Sequence, residues 1–131
     1  MSQSAESIVV NLLKNSTAIT TIVGTSIFGG IPQDPAYPLI FLMRTDTETY
    51  PTLQAVSPFE RAELSIYCEV KEMNDCIALA QQVKLLLNGY RDANTQGIFL
   101  KRQVTNPAGN LEPLMSSIEL IFWVWANGYP S

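Results

Sequence analysis

The sequence predicts a single α+β domain, a mainly antiparallel sheet with helices packed on one face. Three observations carry that reading. Residues 61–70 alternate without a break: Ala62, Leu64, Ile66, Cys68 and Val70 point one way, and Arg61, Glu63, Ser65, Tyr67 and Glu69 the other. That is the period-2 signature of a strand with one dry and one wet face. The period then changes, with Cys76, Ile77, Ala80, Val83 and Leu87 at steps of three and four and Leu79 and Leu86 widening the stripe. Such spacing marks an amphipathic helix. Near the C-terminus, Ile118, Leu120, Phe122 and Val124 alternate with Glu119, Ile121, Trp123 and Trp125. A chain of 131 residues holds one such core, so 1–131 is expected to be one domain.

In chain order, residues 4–14 predict a helix. Ser4 can cap it, Glu6 suits the positive end of its dipole, and Ile8, Val9, Leu12 and Leu13 form its stripe. Residues 18–23 add a turn or two before Gly24 stops them. Ile27 and Phe28 make a short edge strand ended by Gly29 and Gly30, and Pro32, Asp34, Pro35 and Pro38 impose an extended, turn-rich link. The apolar run 39–43 reads as a strand buried on both faces. Residues 46–59, rich in threonine and proline, read as a long polar arm. For the helix over 74–87, Asn74 or Glu72 is the cap, and Gly89 stands at the position after its end. Residues 91–97 form a polar loop. A strand over 98–105 then puts Ile98, Leu100 and Val104 on one face and Phe99, Lys101 and Gln103 on the other. Residues 106–110 carry strong turn chemistry, and the last strand covers 114–126. The expected order is α-β-β-β-α-β-β.

Composition narrows function mainly by exclusion. A net charge of −4 with scattered cations disfavours nonspecific nucleic-acid binding. No apolar run reaches the length of a membrane span, and residues 1–15 lack the pattern of a secretory signal. Cys68 and Cys76 fall on the core faces of strand and helix, as small buried hydrophobes in a chain suited to a reducing cytoplasm. Histidine is absent, which removes the commonest general base and metal ligand. Glu63 and Glu69 on a wet strand face, and Asp46 and Glu48 in the arm, are solvated carboxylates rather than a catalytic pair. No phosphate loop, metal spacing or cofactor motif occurs, so neither an enzyme nor a cofactor is expected.

Aromatic residues are more informative. Trp123 and Trp125 share the second face of the last strand with Ile121, and Tyr67 and Phe99 extend that surface if the strands share a sheet. Two readings stand side by side: a sheet covered on both faces, which makes the tryptophans core, or an apolar face that another subunit covers. A rival class is a small ferredoxin-like ligand-binding or regulatory domain that uses this face as its pocket.

Several stretches together resemble a known family. Ile27-Phe28-Gly29-Gly30-Ile31-Pro32-Gln33, followed by Tyr37-Pro38-Leu39-Ile40-Phe41, is similar to a pattern near the start of tail-completion, or head–tail joining, proteins of tailed bacteriophages and prophages. The alternating strand 61–70, the Ala- and Leu-rich helix 76–87 ending in Asn-Gly, and the aromatic strand 120–125 follow in the same order as in that family. The resemblance covers nearly the whole chain through order and spacing; the glycine of the family after Leu53 is missing. It implies a fold like the tail terminator of long-tailed phages and a non-enzymatic part of the virion neck, assembled in the bacterial cytoplasm. The implied partners are copies of itself in a ring, commonly hexameric, the tail tube protein and head-completion or connector proteins. DNA would pass through the ring without specific binding, and no membrane is involved. Under this resemblance Arg61, Glu63, Tyr67, Glu69, Phe99, Ile121, Trp123 and Trp125 are candidate subunit-interface residues. Asp46, Glu48, Tyr50, Leu53, Asn106 and Asn110 are candidate loop contacts to the tail tube or neighbours.

Overall fold

The computed structural model describes residues 4–30, 38–50, 59–92, 95–106 and 116–127. Its elements are α1 (Ala5–Lys14), α2 (Thr17–Val23), β1 (Ile27–Phe28), β2 (Leu39–Tyr50), β3 (Phe59–Val70), α3 (Met73–Leu87), β4 (Thr95–Asn106) and β5 (Ser116–Asn127). The strands form one five-stranded sheet in the order β1-β2-β3-β5-β4. Only β1, the short edge strand, runs parallel to its neighbour; the other pairings are antiparallel. The predicted α+β class holds, with α2 a helix in its own right.

One hydrophobic core fixes the layers. The dry side of β3 meets Ile118, Leu120, Phe122 and Val124 of β5, together with Ile40, Leu42 and Ile98. Onto this surface pack Ile8, Val9 and Leu13 of α1, Ile19 and Val23 of α2, and Cys76, Leu79, Ala80, Val83 and Leu87 of α3. All three helices therefore lie on one face of the sheet. Cys68 and Cys76 are buried free thiols, and the Cys76 thiol donates to the Cys68 carbonyl at 3.1 Å. Burial pushes both thiols upward, away from reactive thiolate character.

Helix ends follow the sequence signals. Ser4 caps α1, its hydroxyl accepting from the Ser7 amide at 3.1 Å. Gly24 (φ 61°) and Gly89 (φ 88°) supply the left-handed turns after α2 and α3. The cap of α3 is Glu72, whose side chain makes no capping bond. Ser4→Ala is expected to cost about 1 kcal/mol of stability, the usual worth of such a cap, measured by urea unfolding. An unchanged midpoint would show that the cap contributes nothing.

Three expectations need correction. First, residues 46–50 are strand, not arm: β2 continues past Arg44 and pairs with β3 as far as Tyr50↔Phe59. A bulge between Arg44 and Asp46 absorbs one residue, and the threonines that suggested a loop are β-branched and suit a pleated strand. Asp46, Glu48 and Tyr50 are thus strand positions. Asn106 ends β4, and Leu53 and Asn110 lie outside the described residues. Second, the run 39–43 is buried on both faces only at its start, where Leu39 on the outward face is fully buried. Ile40 and Leu42 are core, whereas Phe41 is half-buried and Met43 exposed. Third, a bulge at Lys101 shifts the register of β4 between Leu100 and Arg102. Gln103 then pairs with Leu120 on the helix side, where it accepts from the Lys84 ammonium at 2.9 Å. Val104 pairs with Glu119 on the other side, so it does not share a face with Ile98. The same strand, β4, begins at Thr95 rather than at 98, while residues 114 and 115 of the expected last strand lie outside the described residues.

On the helix side Arg44 ties α1 to the sheet. Its guanidinium donates to both carboxylate oxygens of Glu6 and, at 3.0 Å, to the Thr47 hydroxyl. Burial alone would raise the Glu6 carboxyl, but the hydrogen bonds and charge of Arg44 outweigh it and hold the group below the usual carboxylate range.

Candidate interaction surface

Alternation along four antiparallel strands sends every second side chain away from the helices, and strand register decides which of these become neighbours. Glu63 lies between Asp46 and Trp123, and Trp123 between Glu63 and Phe99. In the next row Arg61 is opposite Trp125, which is opposite Gly97. On the other flank Ser65, Ile121 and Arg102 form a row, then Tyr67, Glu119 and Val104. Arg61, Glu63, Tyr67, Phe99, Ile121, Trp123 and Trp125, scattered through the sequence, therefore share one face. Among the described residues no helix or strand lies over it.

Aromatic and charged groups on this face are interlocked. The Arg61 guanidinium sits 4.8 Å from the Trp123 ring centroid and 5.8 Å from that of Trp125. The Lys101 ammonium lies 5.6 Å from the Trp123 centroid and donates to Glu63 at 2.6 Å. Both cations are within cation–π range. The Thr45 hydroxyl donates to the second oxygen of Glu63 at 2.8 Å. Phe41 stacks on Tyr67 with centroids 4.7 Å apart, and the Tyr67 hydroxyl donates to Glu119 at 3.2 Å. Burial, reinforced by the Glu119 charge, pushes the Tyr67 hydroxyl upward.

Trp123 and Trp125 are half-buried, held from the sides by cations and cross-strand neighbours. Phe99 is 46% exposed and Met43 37%. The Phe99 ring lies against Gly97, where a Cβ would stand 2.5 Å from it, so the ring occupies the space that a side chain at 97 would fill. Glu69 occupies the end of the face. Its pairing partner Leu39 is fully buried outside the main core cluster, and burial raises the Glu69 carboxyl. Sequence reasoning missed Phe41 and Met43 as members of the surface. Their alternation with Ile40 and Leu42 was the available signal, hidden because all five residues of that run are apolar.

Lys101 and, after it, Thr45 hold the Glu63 carboxyl below its usual range. The sign follows from linkage. A folded-state value below the unfolded one stabilises at pH above the ordinary carboxylate range, and the contribution disappears as pH falls through the depressed value. Lys101 is 40% exposed on its side chain, so solvent screening keeps the pair within about 1 kcal/mol. Glu63→Gln should lower the melting temperature slightly at pH 7 and converge with the parent in strong acid. A difference that persists unchanged at low pH would rule out this origin.

Among the described residues no group of three or more Cys, Asp or Glu side chains could hold a metal ion. No helix there is long and apolar enough to cross a membrane. The surface offers shape, aromatic area and paired charge.

No protein-family model matches the chain, and no curated protein matches it. Among solved structures, it is similar to a chain from the virion of a native gene transfer agent (GTA) particle, with a TM-score of 0.71 and 17% identity. The match covers 95% of this chain and 96% of that one. From end to end, the two share a fold.

Proposed function

We propose that the chain is a non-enzymatic structural component of a phage-like virion, forming a ring at the head–tail junction that caps the tail tube and joins it to head-completion proteins. The observation that carries the proposal is the fold match over nearly the full length of both chains to a component of the GTA virion particle. The order of sequence motifs supports the tail-completion role within that setting, with six as the expected ring number. An aromatic sheet face that no helix or strand covers among the described residues supports self-assembly, since Trp anchors concentrate at interface centres. We assign the subunit contact to this face and the contacts with tail tube or neighbours to Asp46, Glu48, Tyr50, Leu53, Asn106 and Asn110. A chain of net charge −4 suits a passage through which DNA slides without sticking.

The test is to purify the chain alone and with a tail tube protein from the same source, then to measure mass by light scattering and image the product. Closed rings, free or seated on tube ends, are the expected result. A strictly monomeric species at every concentration, with and without tube protein, would overturn the ring.

A further inference from the structure

The helical layer carries a second uncovered surface. On α3, Asn74, Ile77, Ala78, Gln81 and Leu85 are all exposed, with Ile77 at 50% and Leu85 at 68%. Their spacing puts them on one stripe, opposite the buried stripe of the same helix. None is charged. Exposed helix faces in water normally carry charge, and its depletion is the mark of an interface centre. Charge instead flanks the stripe: Lys71, Glu72 and Asp75 are exposed around its N-terminal end, and Lys84 is half-buried beside it.

The aromatic sheet face is its electrostatic counterpart. Glu63 is neutralised by Lys101, and Arg61 lies on the two tryptophans. An uncharged stripe can cover this centre without stranding an unpaired charge, which would be costly. At the rim, Arg102 is exposed and basic, complementary to the N-terminal end of α3, where Glu72 and Asp75 outnumber Lys71. A two-fold contact between sheet faces would leave the α3 stripe bare. A two-fold contact between α3 stripes would leave the aromatic face bare.

We propose that the occupant of the sheet face is a second copy of this chain, presenting the outer stripe of its α3. The inference rests on the ring reading above and specifies its contact. The two patches lie on opposite layers of the domain, so the contact is heterologous, and repetition about an axis closes a ring.

Two charge insertions at exposed positions test it, Phe99→Glu on the sheet face and Leu85→Glu on α3, each checked for an unchanged melting temperature. Each variant alone should weaken self-association by roughly 30-fold or more, the scale of an interface hot spot. Mixed together, they should give a one-to-one heterodimer that grows no further, because one intact sheet face and one intact α3 stripe remain. Sedimentation velocity on the mixture reads this directly. Two results overturn the contact while leaving the ring intact: Leu85→Glu assembling like the parent, or a mixture with no heterodimer although the parent assembles. If the parent never assembles, alone or with tube protein, ring and contact fall together.

Discussion

Phe122→Ala should destabilise the folded chain by about 3–5 kcal/mol, the usual cost of truncating a buried aromatic ring. Phe122 is fully buried and has the largest such side chain among the described residues. Its position explains the size of the effect. It pairs with Leu64 of β3 on one side and Leu100 of β4 on the other, at the centre of the surface on which the helices rest. Removing the ring opens a cavity that its neighbours cannot close without moving strands fixed by their ladders. Thermal unfolding should show a fall in melting temperature of roughly 10–20 °C, from the scaling of midpoint with stability for a domain of this size. A loss below about 1 kcal/mol would mean that the core collapses around the gap, and that the rigid two-layer packing described above is wrong.

Legibility of the fold followed the strength of its periodicity. β3, α3 and β5 each have an uninterrupted pattern, and the structure places them as expected, including the left-handed glycine after α3. Two of the failures sit at bulges, after Arg44 and at Lys101. A bulge adds one residue to one strand and so inverts every later side chain. Counting alternation from Ile98 therefore put Val104 on the wrong face, and the same offset after Arg44 broke the pattern that would have extended β2. No residue type announces such a bulge; it is set by the partner strand. The candidate surface was legible in composition but not in assembly. Trp123, Trp125, Tyr67 and Phe99 could be assigned to an outward face, yet whether that face was covered depended on where α1, α2 and α3 packed. Among the described residues, α1, α2 and α3 all pack on the opposite side of the sheet.

Trp123→Ala and Trp125→Ala should leave a folded chain that no longer assembles. In the isolated subunit each tryptophan is half-buried, so truncation removes cross-strand pairing of about 0.2–1 kcal/mol and a cation–π contact with Arg61 of similar size. The loss of stability should therefore stay near 1–2 kcal/mol, well short of that for Phe122→Ala. Burial in an interface changes the scale. A Trp that fills the centre of a contact, already oriented by Arg61 and Lys101 so that little rotamer freedom remains to be lost, commonly contributes 2–4 kcal/mol of binding. That corresponds to at least about a 30-fold rise in the concentration needed for assembly. Comparing the two losses decides between core and docking surface. If either variant unfolds as readily as Phe122→Ala, the second face of the sheet belongs to the core of the monomer and the subunit contact must lie elsewhere. If both keep most of their stability and fail to assemble at concentrations where the parent does, the aromatic face is bound by another chain, and the cations beside it serve to hold the rings ready for that contact.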